Sequence, residues 1–211
     1  MKIISLFITL FFMLSGCAFS PEDSYSNPGW WGYLESKKSD YDGTYVVRSE
    51  PAMITEVNNP FYVGLEWNSK MQEGEYILIV SINGAKNFAF NEPMRIMADG
   101  EEILLKSVEA MDAGHVYSHT VVSGVFNQTV VVGNRTNKRF IISLDELIKT
   151  LSANHVVFRA MTFNGYIDSV LWPEKEDMST NWRYKNASLI YFRDSGWKFI
   201  KEVGSQKLKN N

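Results

Sequence analysis

The chain has 211 residues, 45% of them hydrophobic, with one cysteine and a formal charge of -3. That length suits one well-buried core and is short for two. A weakly acidic balance with no basic stripe argues against a nucleic-acid partner, and a lone cysteine excludes an intrachain disulfide.

At the N-terminus, Lys2 precedes a nearly unbroken apolar run from Ile3 to Leu14, followed by the small residues Ser15 and Gly16. The run is too short to cross a bilayer as a helix and has the layout of a secretory signal, residues 1–16. Leu14-Ser15-Gly16-Cys17 resembles the lipobox of bacterial lipoproteins, and the resemblance covers this signal alone. It implies a diacylglycerol on the Cys17 thiol, which becomes the new N-terminus after cleavage. Each buried methylene contributes about 0.8 kcal/mol, so more than one acyl chain holds the protein stably to a membrane. Ala18, where sorting rules in enteric bacteria would otherwise place aspartate, implies the outer membrane, with the domain in the periplasm. The competing reading is an ordinary cleaved signal that leaves a buried cysteine behind.

Residues 17–43 read as a lipidated tether leading into an aromatic-rich segment, Asn27-Pro28-Gly29-Trp30-Trp31-Gly32-Tyr33. A solvated linker seldom carries adjacent tryptophans. Trp30, Trp31 and Tyr33 therefore either pack on the domain or offer their faces to a partner, a sugar or a lipid headgroup. Asp40-Tyr41-Asp42-Gly43 has the start of a calcium loop without the bidentate glutamate that should follow, and reads as a turn.

A β-rich globular domain is expected over residues 44–203, from short β-branched and aromatic runs separated by turn residues. Strands are expected at Tyr45–Val47, Met53–Val57, Tyr62–Trp67, Val116–Val122 and Thr129–Val132. Three turn pairs suit tight hairpins. Asn83-Gly84 would join Glu75–Ile82 to Lys86–Phe90, Asp99-Gly100 would join Met94–Met97 to Glu101–Val108, and Asn164-Gly165 would join Val156–Phe163 to Tyr166–Leu171. The first two would form a four-stranded meander from about residue 75 to 108. Tyr76–Val80 and Ile103–Leu105 lack alternation and read as strands buried on both faces, covered by helices or by another subunit.

Ser143-Leu144-Asp145-Glu146 has capping-box spacing and predicts a helix to about Ser152. A short helix could open at Pro173, and residues 187–203 read as a helix in preference to a hairpin turned at Asp194-Ser195-Gly196. A frayed polar tail is expected over 204–211, with Lys207 and Lys209 able to meet a membrane or peptidoglycan.

Chemistry is sparse. His115 and His119 stand four apart, but on a strand that separates them by roughly 13 Å, too far for one zinc. His155 follows the predicted helix. Cys17 is taken by lipid, no serine sits in a nucleophile elbow, and Glu101 and Glu102 point to opposite faces of a strand. Glu174, Glu176 and Asp177 suit a helix start. No catalytic residue, metal ligand or cofactor site is expected. Gly133–Arg139 is the most basic stretch and reads as a solvated hairpin loop, making Arg135 and Arg139 candidates for an acidic partner.

These features together predict a mainly β fold: a single antiparallel β-sandwich-like domain with one or two peripheral α-helices. The expected role is a non-enzymatic binding or scaffolding component of a cell-envelope assembly, anchored to the membrane through Cys17 and meeting an envelope protein through Trp30, Trp31, Tyr33, Arg135 and Arg139. A small-molecule or glycan binder is the alternative, with an envelope hydrolase behind it.

Overall fold

The computed structural model describes residues 28, 32–53, 61–83, 88–89, 92–108, 119–123, 126–130, 135–170 and 182–210. In chain order the strands are β1 (Leu34–Lys38), β2 (Tyr45–Met53), β3 (Phe61–Asn68), β4 (Glu75–Asn83), β5 (Met94–Ala98), β6 (Glu101–Leu105), β7 (His119–Ser123), β8 (Phe126–Val130), β9 (Arg135–Ser143), β10 (Val156–Thr162) and β11 (Gly165–Val170). The helices are α1 (Leu144–Ser152) and α2 (Trp182–Asn210). A first sheet has the order β1-β2-β3-β4-β9, a second β11-β10-β5-β6, and β7 pairs with β8. Every pairing between named strands is antiparallel. The mainly β, sandwich-like architecture with peripheral helices is the one expected.

Alternation assigns the faces. Phe61, Val63, Leu65 and Trp67 on β3, Tyr76, Leu78, Val80 and Ile82 on β4, and Phe140 and Ile142 on β9 turn to one core. Met94, Ile96 and Ala98 on β5 and Val156, Phe158 and Ala160 on β10 close it from the second sheet. Phe61 and Phe158 meet across the sheets with ring centroids 6.3 Å apart. The helix α2 fills the end left open beside β1 to β3: Phe192 stands edge-on to Phe158 at 6.0 Å, and Phe199 edge-on to Tyr76 at 5.8 Å.

Local chemistry explains several boundaries. Ser143 and Glu146 make the reciprocal capping box: Glu146 N donates to Ser143 Oγ at 3.3 Å and Ser143 N to Glu146 Oε2 at 2.8 Å. Asp99 and Gly100 carry φ of 47° and 88°, the two positive values a type I′ turn demands. The Asp99 carboxylate also accepts from Asn154 N and His155 N, which hold it below the usual carboxylate range and lock this turn to the end of α1. As expected, Asp40–Gly43 forms a turn, in which Asp42 pairs with Lys70 and accepts from Thr44 N.

The structure corrects several sequence expectations. The Asn83-Gly84 hairpin, and with it the 75–108 meander, does not form, because β4 is already paired along its length by β3 and β9. Phe88 instead bridges Thr162 in the second sheet, and Ala89 N donates to Met161 O. The β10–β11 turn is shifted by one residue, since Thr162 pairs with Gly165 and leaves Phe163 and Asn164 as the loop. Tyr45–Val47 and Met53 belong to the one strand β2, interrupted by a register shift between Ser49 and Ala52; residues 54–57 lie outside the described ones. Within the 17–43 segment, Gly32 N donates to Glu50 O, and Leu34–Lys38 form β1 at the edge of the first sheet.

Strand β4 is buried on both faces as expected, but β6 is not: Ile103 and Leu105 enter the core while Leu104 is 53% exposed. Arg135 to Arg139 are strand β9, not loop. The polar tail is the end of α2, where Gln206 prolongs the buried stripe of Phe199 and Val203 past Gly204. The proposed helix at Pro173 lies outside the described residues.

Gly196 lets the helices meet: a Cβ there would stand 2.6 and 2.9 Å from the two methyl carbons of buried Leu151 on α1. Gly196→Ala should therefore cost about 1–3 kcal/mol through overpacking. Gly204→Ala, with nothing within 4 Å of its Cβ, should instead stabilise by about 0.5–1 kcal/mol through helix propensity. Urea unfolding of the full chain in detergent tests both; equal shifts would contradict the helix contact.

Candidate binding surface

Cys17, Trp30 and Trp31 lie outside the described residues, as does His115. Tyr33 is half-buried, and its carbonyl accepts from Glu50 N, so the backbone at the end of the aromatic segment is fixed to β2. Arg135 opens β9 opposite Asn83. Arg139 lies further along β9 on the outer face of the first sheet, where its Nη2 approaches Glu66 Oε2 on β3 at 3.7 Å across β4. Since β1 and β9 are the two ends of a five-stranded order, Tyr33 and these arginines are separated by roughly 19 Å at the usual strand spacing. Among the described candidates, Tyr33 is not brought together with Arg135 and Arg139.

His119 begins a strand, as expected, and His155 is half-buried, its backbone holding Asp99 on both sides. Among the described residues no group of three or more His, Cys, Asp or Glu is placed to hold a metal ion. Glu101 and Glu102 diverge as alternation requires, Glu101 to Lys149 on α1 and Glu102 to Arg95.

A different surface emerges on the outer face of the second sheet. Register places Arg159 on β10 between Asp168 on β11 and Arg95 on β5, with Leu104 on β6 completing the row. Arg159 grips Asp168 through two bonds, Nε to Oδ1 at 2.7 Å and Nη2 to Oδ2 at 2.6 Å, and its guanidinium lies 4.2 Å from the centre of the Tyr166 ring. Asp168 raises the already high pKa of Arg159, so the cation is permanent. Arg95 Nη1 meets Glu102 Oε1 at 3.0 Å. Both pairs are solvated, and exposed pairs of this kind contribute only about 0–1 kcal/mol to stability. Their effect is to hold two guanidinium groups in place and leave this face with no net charge from the two pairs.

Between and beside these pairs stand exposed apolar side chains: Tyr166 at 59%, Leu104 at 53%, with Met97 and Phe163 also open. Tyrosine, phenylalanine, methionine and arginine are the types enriched in protein interfaces. Four strands by five residues offer roughly 300 Å², less than the ~800 Å² per partner of a standard interface. This face can therefore form the centre of a contact, and neighbouring turns would complete it.

Sequence reasoning missed Arg95, Glu102, Arg159, Tyr166 and Asp168. The available signal was the alternation in Val156–Thr162, which turns Arg159 away from Phe158 and Ala160. No known protein family, curated protein or solved structure matches the chain.

Proposed function

We propose that this chain is an envelope lipoprotein, held in the outer membrane by acylated Cys17, whose β-domain serves by binding a protein partner within an envelope assembly. The anchoring half of this reading rests on the Leu14-Ser15-Gly16-Cys17 signal. The observation that supports the binding half is the outer face of the second sheet, where Arg159 is stacked on the exposed Tyr166 ring and Leu104 stands exposed on the same row. An aromatic ring with an arginine stacked on it is an anchor that can exclude water without further ordering.

Two measurements test the two halves separately. Cys17→Ser should abolish incorporation of labelled fatty acid and release the chain from the membrane fraction; retention of both label and membrane association would refute the anchor. In cells carrying the anchored protein, a photo-crosslinker at Tyr166 or Leu104 should yield a discrete adduct that Arg159→Glu weakens at least several-fold. Absence of any adduct from both positions would sink the partner-binding assignment while leaving the anchor intact.

A further inference from the structure

We infer that the solvent face of the C-terminal half of α2 is a membrane-contact surface, lying on the anionic phospholipid headgroups of the bilayer to which the chain is tied; this rests on the lipid-anchor reading above. Phe192, Ser195, Phe199, Val203 and Gln206 point into the domain, while Trp197, Lys201 and Leu208 face water. At about 100° per residue these last three fall within roughly 40° of one another. Trp197 is 41% exposed and Leu208 81%, with the exposed Lys201 between them in the stripe. A tryptophan and an aliphatic residue beside a long-stemmed cation are the combination that lies at a bilayer surface, apolar atoms inward and ammonium among the phosphates.

The point at which the chain joins the first sheet favours this face. The Gly32 N–H is bonded to Glu50 O, and β1 follows at the edge of the first sheet. The C-terminal part of α2 lies against that edge, with Gln206 Nε2 at 3.4 Å from Ser36 Oγ. Cys17 precedes Gly32 by 15 residues, a reach of at most about 50 Å at full extension. The chain thus enters the first sheet at the edge against which this part of α2 lies, within reach of the lipid.

Charge agrees. Lys37 and Lys38 on β1 are exposed, and Lys207 on α2 sits over the rings of Trp67 and Tyr76. Glu35 is paired with Lys37, Asp42 in the turn after β1 with Lys70, and Glu202 accepts from Gln206; Asp40 and Asp194 are the further exposed acids on these elements. The opposite flank has a different character: β6 runs on into residues 106–108, which bond to β9, the far edge of the first sheet. Leu104 is thus carried away from the tethered edge, free for a partner while α2 rests on lipid.

The test uses the full lipidated chain in vesicles of phosphatidylethanolamine and phosphatidylglycerol. Leu208→Cys introduces the only free thiol if Cys17 is acylated, and a fluorophore on it reports contact with brominated lipids. Quenching of at least two-fold is expected at 208, little at the control Leu104→Cys, and Lys201→Glu should reduce the quenching at 208 by about half. If the chain floats with the vesicles but 208 is unquenched, or 208 and 104 are quenched alike, the membrane face is overturned and the anchor stands. If the chain does not float and carries no acyl group, the anchor reading itself fails and takes the inference with it.

Discussion

Phe158→Ala should lower the stability of the domain by about 3–5 kcal/mol, the range for emptying a fully buried aromatic site. Phe158 is completely buried and touches rings from two other elements, Phe61 on β3 and Phe192 on α2. It is thus the point at which the first sheet, the second sheet and the long helix share one packing contact. A truncated side chain here leaves a void that none of the three can fill without moving against the others. Phe158→Leu keeps most of the volume and should cost less than half as much. Denaturant unfolding of the full chain in detergent, followed by circular dichroism, reads both numbers. A loss below about 1 kcal/mol for the alanine variant would mean that the sheets and α2 are not held by a common core. The same substitution bears on the binding face, since Phe158 and Arg159 are successive residues of β10 and point to opposite sides of it.

The contrast between elements that were legible and those that were not follows from the range of the interactions that set them. Ser143 and Glu146 define a helix start within four residues, and Asp99-Gly100 defines a turn within two, so both could be read locally. Asn83-Gly84 carries an equally clear local signal, yet β4 pairs with β9, whose partner residues begin at Arg135. No local rule reports that both edges of β4 are taken by distant strands. The basic stretch ending at Arg139 misled for a related reason: a lysine and arginines suggest solvent, whereas Lys138 finds its partners in the interior. Gly204 and the lysines after it suggested fraying, while the buried positions 199, 203 and 206 continued a helical spacing to the end. The charge pairs on the second sheet depend on register, which fixes Arg159 opposite Asp168 only once β10 and β11 are aligned. The exposed aromatic was hidden in the same way, because Tyr166 gains its meaning from the guanidinium stacked over it.

Lys138→Met should cost about 2–4 kcal/mol, although it replaces a buried charge by an apolar chain of similar length. Lys138 is 3% exposed, and its ammonium donates to Ala89 O at 2.8 Å and Glu92 O at 3.1 Å while lying over the Phe140 ring. Those carbonyls flank the break between the 88–89 bridge to β10 and the start of β5 at Met94, with Pro93 offering no N–H. Methionine removes the donor from two carbonyls at once, both in part-buried bonds, and the loss exceeds the relief of leaving no ammonium desolvated. The pH dependence has a defined sign. Burial pushes the Lys138 pKa below its usual 10.5, so the unfolded chain binds more protons than the folded one in the alkaline range just under 10.5, and this group's contribution to stability rises with pH there. The gap between wild type and Lys138→Met should consequently widen from neutral pH towards 10, measured by urea unfolding across that range. A gap under about 0.5 kcal/mol at pH 7 would show that the two carbonyls find other donors. Because β5 carries Arg95 and Met97, loosening its start should also weaken the crosslink from Leu104 under conditions where the domain remains folded, which would tie this internal lysine to the binding face it supports.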